Sequence, residues 1–256
     1  MNGYLRARLL PFLLFTGLLP ACQQDEAEAP DDHHHGVVHT VDLRLKFVFV
    51  HGTHDYELAS EYTDDFGHLY KLDRIRFLLS DLDVVDDFSG VLADYPSVQL
   101  LVDASQTNDF ALGSLTASHA HQIRFTMGLN PQMNNSDPAT SAPPLNDATM
   151  HWGMGANEGY WFLVMEGRVD SDNSGTLDDT DAPFTYRCGT DMLARSGWAT
   201  MHVEIPDGGT MTVEAPVDVA RLMGGVDVLG IPSALGDAPL NEQLMDSLSA
   251  NFHEAH

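Results

Sequence analysis

Cysteine and lysine are scarce in this chain, and catalytic signatures are missing. Each absence excludes something. Two cysteines occur in 256 residues, Cys22 and Cys188. Cys22 sits at the end of a leader, so no disulfide is left for the folded part. Its core or bound metal must hold it together. Lysine occurs only at Lys46 and Lys71, and 12 basic residues face 38 acidic ones, for a formal net charge of −26. Such a surface argues against nucleic acid and anionic lipid as partners. It suits divalent cations, basic partners or a salty habitat. No GxSxG, no HExxH, no glycine-rich phosphate loop and no Walker pattern occurs, so the residues give no reason to expect an enzyme.

What is present begins with "MNGYLRARLLPFLLFTGLLPAC". Arg6 and Arg8 form a basic region, residues 9–19 form an apolar stretch too short to span a membrane permanently, and Leu19, Pro20, Ala21 and Cys22 read as a lipobox. Cleavage before Cys22 would leave it acylated, and the acyl chains would anchor the protein. Gln23, where an Asp would retain the protein at the inner membrane, favours the outer membrane. We therefore expect a lipoprotein signal peptide over residues 1–21, an acidic, His-rich tether over 22–36, and one β domain over 37–256. The protein would be exported, facing the periplasm or cell surface, and would meet the membrane only through its lipid.

Residues 37–52 alternate, with Val41, Leu43, Leu45, Phe47 and Phe49 on one face and Asp42, Arg44 and Lys46 on the other. Period two means a half-buried strand. Residues 69–87, 95–104 and 119–129 read as further strands, and 130–147 as a long loop rich in Pro, Asn and Asp. Residues 158–169 are apolar on both faces, as in a central strand. "APFTYRCG" follows, then two strands joined by a turn at "PDGG". Helical signals are confined to 216–225 and 238–256, the latter with Leu240, Leu244, Leu248 and Phe252 in register. The expected fold is all-β: a β-sandwich with Greek-key connections, long loops and a short C-terminal helix.

"DSDNSGTLDDTD", residues 170–181, matches a calcium loop of EF-hand type. Asp170, Asp172, Ser174, Thr176 (by its carbonyl), Asp178 and Asp181 fall on the ligand positions, and Gly175 on the sharp turn. Asp181 stands where Glu is usual, which weakens the site, and the flanks read as strand. A bound Ca²⁺ would brace this loop.

The 13 histidines are several signals. His33, His34, His35 and His39 lie in or beside the tether. His51 and His54 mark a strand end. His119 and His121, two apart on one strand face, can chelate a transition metal. His202 lies in a neighbouring strand. "MHWGMGANEGYWFLVMEG", residues 150–167, gathers His151, Met150, Met154, Trp152 and Trp161. These are soft donors beside oxidisable rings. Read without further help, the stretch is a packed core strand and turn.

"KLDRIRFLLSDLDVVDD", "IRFTMGLNPQMNNSDPATSAPPLNDATMHWGMGANEGYWFLVMEGRVD" and "LMDSLSANFHEAH" resemble the MbnP-like family of periplasmic copper-associated proteins, over roughly residues 40–256. The most specific part runs from Ile123 to Gly167: a strand, a Pro/Asn loop, "PLN", Met-x-Trp and GYxFLxxEG. The resemblance implies a secreted β-rich domain that is a substrate and metal binder, not a catalyst. Its partner would be a MauG-like di-haem peroxidase that oxidises a Trp to kynurenine, with copper bound nearby by His. The matching ring here is Trp152, with Trp161 as the fallback. Met154 departs from the pattern, standing where many relatives carry a second aromatic. The candidate copper ligands are His151, Met154, His202, His119 and His121, with copper and Ca²⁺ as the expected cofactors. The competing expectation is a calcium-stabilised surface binding module without copper chemistry.

Overall fold

A computed structural model describes residues 36–155 and 157–252. The expected signal peptide, Cys22 and the tether histidines His33, His34 and His35 lie outside the described residues, as do His253 and His256. The strands are β1 (His39–His51), β2 (His54–Asp55), β3 (Glu61–Thr63), β4 (Leu69–Val85), β5 (Val91–Tyr95), β6 (Leu100–Asp103), β7 (Asn108–Ala117), β8 (His119–Met127), β9 (Trp161–Val169), β10 (Ala182–Gly189), β11 (Arg195–Glu204), β12 (Thr210–Asp218) and β13 (Ser233–Gly236). Three helices join them: α1 (Pro131–Asn134), α2 (Val219–Leu222) and α3 (Pro239–Asn251).

The strands form a β-sandwich. The smaller sheet holds β12, β1, β7 and β2, with β1 paired to each of the others. The larger runs β11-β8-β4-β9-β10-β13, with β3, β5 and β6 also paired to β4. β9 is central, between β4 and β10, as its two apolar faces require. β1 behaves as its alternation predicts. Val41, Leu43, Leu45 and Phe47 are buried, while Arg44 and Lys46 turn outward to Asp109 (2.8 Å) and Glu214 (2.6 Å). Phe47 meets Phe77 of β4, Phe125 of β8 and Phe252 edge to face at 5.9–6.2 Å, which ties both sheets and the C-terminal segment into one core.

The hairpin expected at "PDGG" does not form. β11 pairs with β8 in the larger sheet, whereas β12 runs parallel to β1 in the smaller. Gly208 and Gly209, both with positive φ, turn the chain across, and the Asp42 N–H holds the Gly209 carbonyl (2.9 Å). The cause is burial. Val213, Ala215 and Val217 complete the core beneath β1, a gain that a two-stranded ribbon would forgo. The helix expected over 216–225 shrinks to four residues because 216–218 belong to β12. Asp218 accepts hydrogen bonds from Ala220 N–H (3.0 Å) and Gly52 N–H (2.9 Å), capping α2 and fastening the end of β1. Asp218→Ala should cost about 1 kcal/mol, seen as a melting temperature lower by roughly 2–4 °C. An unchanged melt would show that the cap contributes nothing.

α3 buries Leu240, Leu244, Met245 and Leu248, as its spacing predicts. Asn241 is fully buried and donates to the Arg187 (3.0 Å) and Gly236 (2.9 Å) carbonyls, so it clamps the helix to β10 and β13. The long Pro/Asn loop is strapped rather than loose. The Tyr160 hydroxyl donates to the Leu145 carbonyl, Asn134 bridges Tyr160 and Asp191, and Asp147 pairs with Arg76 at 2.6 Å.

Candidate metal centres and the tryptophan pair

The strapped loop delivers residues 150–155 onto the start of β9. His151 forms an isolated bridge with Tyr160, their rings 4.8 Å apart at 77°. Trp152 lies on Trp161, with centroids 4.5 Å apart and planes within 22°. Neighbouring residues of an extended segment point to opposite sides, so His151 and Trp152 address different rings. Gly189 permits the stack, since a Cβ there would lie 2.9 Å from the Trp161 ring and 3.1 Å from Trp152 Nε1. Trp161 is 5% exposed, and Trp152 is half-buried. Arg187, paired with Glu166, stands 6.0 Å from the Trp161 centroid.

Two buried polar atoms here have no partner: His151 Nε2 and Trp152 Nε1. Burial holds the His151 imidazole below its usual range, against the pull of Asp137 and Glu158. It is therefore a neutral ring with a free nitrogen, the form that binds a metal. In the metal-free protein its NMR titration midpoint should fall below the ordinary histidine value of about 6.5. The unfolded chain then takes up the proton more readily, so acidification through that value costs stability. A midpoint at or above it would remove the desolvated environment from this account. Of the thioethers, Met150 is buried, whereas Met154 (61% exposed) and Met192 (71%) face solvent. A cleft of ≈350 Å³ is lined by Asn134, Glu158, Thr190, Asp191, Met192 and Asp237, with neither tryptophan of the pair in its wall.

The other copper candidates do not join this place. His119 and His121 start β8, and β11 brings His202 to them. β8 then runs eight residues to Met127, the end at which the Trp pair lies, a separation of about 25 Å at the rise of a strand. One ion cannot take ligands from both ends, so the single convergence beside Trp152 is corrected to two places. At the first, His121 Nδ1 lies 3.2 Å from His202 Nδ1 and 3.1 Å from Asp87 Oδ1. His202 Nδ1 is 3.5 Å from the same oxygen, and His119 Nδ1 is 3.4 Å from Asp87 Oδ2. A bulge between Thr200 and Val203 breaks the alternation of β11, and His202 takes φ +41. Such bulges re-aim side chains. Asp87 gave no signal in the sequence, being one of 38 acidic residues.

The loop of residues 170–181, expected from its spacing to hold calcium, connects β9 to β10. Asp170, Asp172 and Asp181 each bring a carboxylate oxygen within 4.8 Å of the others. Asp170 and Asp181 are 6% and 4% exposed, and none of the three has a cationic partner among the described residues. Ser174 Oγ is 3.0 Å from the Thr176 carbonyl, and Gly175 takes φ +79 at the turn. Against the cost of burial, N–H groups of Gly175 and Ser174 hold the Asp170 carboxyl below its usual range. Asp178 turns away to Thr180 N–H and Oγ1, whose hydrogen bonds lower its own carboxyl. Sequence reasoning overlooked a third convergence, Asp64, His68 and Asp227. Asp64 already accepts N–H bonds from Phe66, His68 and Val228, so this group clamps two loops. Cys188 is buried, which pushes its thiol up and keeps it inert.

No curated protein matches the chain. Among solved structures, MbnP from Methylosinus trichosporium resembles it with a TM-score of 0.53 at 13% identity, covering 79% of this chain and 82% of that one. That identity speaks for the fold alone. Residues 40–239 match the family model described as MbnP, the same stretch that carries the strapped loop, the Trp pair and both sheets. By that match the chain belongs to the MbnP family.

Proposed function

We propose that this chain is an exported, lipid-anchored copper-binding protein, not a catalyst, and that Trp152 is oxidised by a di-haem peroxidase of MauG-like type. The observation that carries the reading is the stacked pair, Trp152 on Trp161, beside a neutral imidazole with a free nitrogen. Stacked indoles share a positive hole, which eases removal of an electron from either. Trp152 is the more exposed ring, so oxygen reaches it first. The positive guanidinium of Arg187 near Trp161 disfavours the hole there.

The chemistry balances as a four-electron oxidation. The indole C2–C3 bond breaks, and one oxygen atom is added at each carbon. Two molecules of hydrogen peroxide supply these atoms and leave as two of water. The product is N-formylkynurenine, and hydrolysis releases formate to give kynurenine. The opened ring is an aryl ketone carrying an amine, no longer a rigid bicycle. The new ketone and amine are metal donors that the indole lacks. Imidazole and thioether donors suit Cu(I). His151 is the first ligand, and Met154, exposed in the following turn, supplies the soft one.

Ca²⁺ in the 170–181 loop is a structural ion in this proposal, and acylated Cys22 is the membrane anchor. The test is the intact mass of the protein made together with its di-haem partner. The expected result is a gain of two oxygen atoms, or the exchange of one carbon for one oxygen after deformylation, on the peptide holding Trp152. Unmodified tryptophans throughout would overturn it. A second reading, a calcium-braced surface binding module, draws on the convergence of Asp170, Asp172 and Asp181. It forecasts calcium binding with no response to copper.

A further inference from the structure

We propose that His119, His121, His202 and Asp87 form a binding site for a divalent first-row ion of the Zn(II)/Cu(II) class, separate from any copper beside Trp152. This goes beyond the tryptophan reading and does not depend on it. The geometry makes the first argument. With metal–ligand bonds of about 2.0–2.1 Å, neighbouring ligands of a tetrahedral ion stand roughly 3.3–3.4 Å apart. His121 Nδ1, His202 Nδ1 and Asp87 Oδ1 form a triangle with edges of 3.2, 3.1 and 3.5 Å. Its size already matches one face of that tetrahedron. His119 lies outside these three convergent ligands, with its ring 5.1 Å from that of His202 and Nδ1 3.4 Å from the second Asp87 oxygen, and would become the fourth ligand by a turn of its side chain.

The donor set makes the second argument. Imidazoles with one carboxylate select a borderline ion. They offer too little hard oxygen for Ca²⁺ or Mg²⁺ and no sulfur for a soft ion. The ligands are also held before any ion arrives. His119 and His121 are two apart on one face of β8, within a nine-stranded sheet. Asp87 follows Asp86, whose Oδ1 accepts the N–H of Phe88 and of Gly90 and so fixes the turn. His202 is aimed by the bulge, at a positive φ that few residues other than glycine adopt. A left-handed backbone held at a ligand position is the kind of strain found at functional sites.

Exposure sets the behaviour. The side chains of His119, His121 and His202 are 30%, 39% and 65% exposed. The ion would be open to solvent and exchangeable, unlike a buried structural zinc. The chain's net charge of −26 concentrates cations around it. The site therefore fits capture of a metal ion from solution, about 25 Å along β8 from the tryptophans.

The test uses the whole chain in a His33→Ala, His34→Ala, His35→Ala background, which silences the tether. It is titrated with Zn(II), and separately with Co(II), while calcium is kept in excess. One Co(II) should bind with the strong visible absorption of a tetrahedral site. Losing a ligand costs at least what losing a ligand's hydrogen-bond partner costs, about tenfold to a hundredfold in affinity. His121→Ala and His202→Ala should each weaken Zn(II) by that much, and His151→Ala should leave it unchanged. Unaltered Zn(II) affinity in the His121→Ala, His202→Ala double variant would overturn the proposal, as would binding that depends on His151. Thermal melting of each variant confirms that the fold survives. The mass of the Trp152 peptide is read on the same samples, so failure of this site and failure of the tryptophan reading remain distinguishable.

Discussion

Millimolar calcium should raise the melting temperature of the folded domain by roughly 5–10 °C, and a chelator should reverse the gain. Three carboxylates converge at the β9–β10 connection, two of them buried, with no cation paired to them among the described residues. Like charges so placed repel, and a bound divalent ion turns that repulsion into attraction. An ion that binds only the folded state stabilises it by about 2.7 kcal/mol at a hundredfold excess over its dissociation constant. For a domain of this size, each kcal/mol moves the melt by about 2–4 °C. Asp181 in place of the usual Glu lowers affinity but leaves that relation intact, so only the calcium needed for saturation rises. Asp170→Asn and Asp172→Asn should each abolish most of the response. In the absence of calcium Asp170→Asn should melt lower than the parent, because the Gly175 and Ser174 N–H groups favour the charged carboxyl, whereas Asp172→Asn should melt no lower, since it removes a repelling charge. A parent protein whose melt ignores both calcium and chelator would leave the loop as a hydrogen-bonded turn.

The same loop shows what a sequence carries. The candidate calcium ligands lie within twelve consecutive residues, so their spacing could be read directly; three of the carboxylates converge, and Asp178 turned elsewhere. β1 was equally plain, because burial on one face writes period two into neighbouring residues. The failures involve residues far apart. "PDGG" marks a turn, but not which sheet the chain enters after it, and parallel pairing of β12 with β1 joins residues some 168 positions apart. His119 and His121 were visible as a pair. His202 reaches them only through a bulge, and Asp87 through a turn at the end of β4. Neither leaves a local pattern. The strapped loop was readable as Pro and Asn, but its delivery of Trp152 onto Trp161 depends on Asn134 and Tyr160 bonds that no periodicity encodes. The family resemblance supplied Trp152 as the motif ring, and the geometry supplied its stacking partner and removed His119, His121 and His202 from its surroundings.

Trp152→Phe should abolish the oxidative modification and, with it, copper binding at that end of the sandwich. Phenylalanine has no pyrrole C2–C3 bond to cleave, so neither the ketone nor the amine can form. The ring is half-buried and rests on Trp161, and a phenyl group can still lie against that indole. The fold should therefore survive, which a melt near that of the parent would verify. Trp161→Phe is the informative contrast. It keeps the reactive ring and removes the neighbour that shares the hole, so modification should continue at Trp152 but slowly. A phenyl group is much harder to oxidise than an indole and cannot take up the charge. Arg187→Gln approaches from the other side. With the guanidinium gone from beside Trp161, the hole spreads more evenly over the pair. Product at Trp161 should then become detectable by peptide mass, although burial of that ring still favours Trp152 as the place where oxygen adds. Modification that persists in Trp152→Phe, or falls on Trp161 or Trp198 in the parent, would remove exposure and stacking as the cause of selection. The result would also separate electron transfer from oxygen delivery. The first should respond to Trp161 and Arg187, and the second to whatever changes the exposure of Trp152.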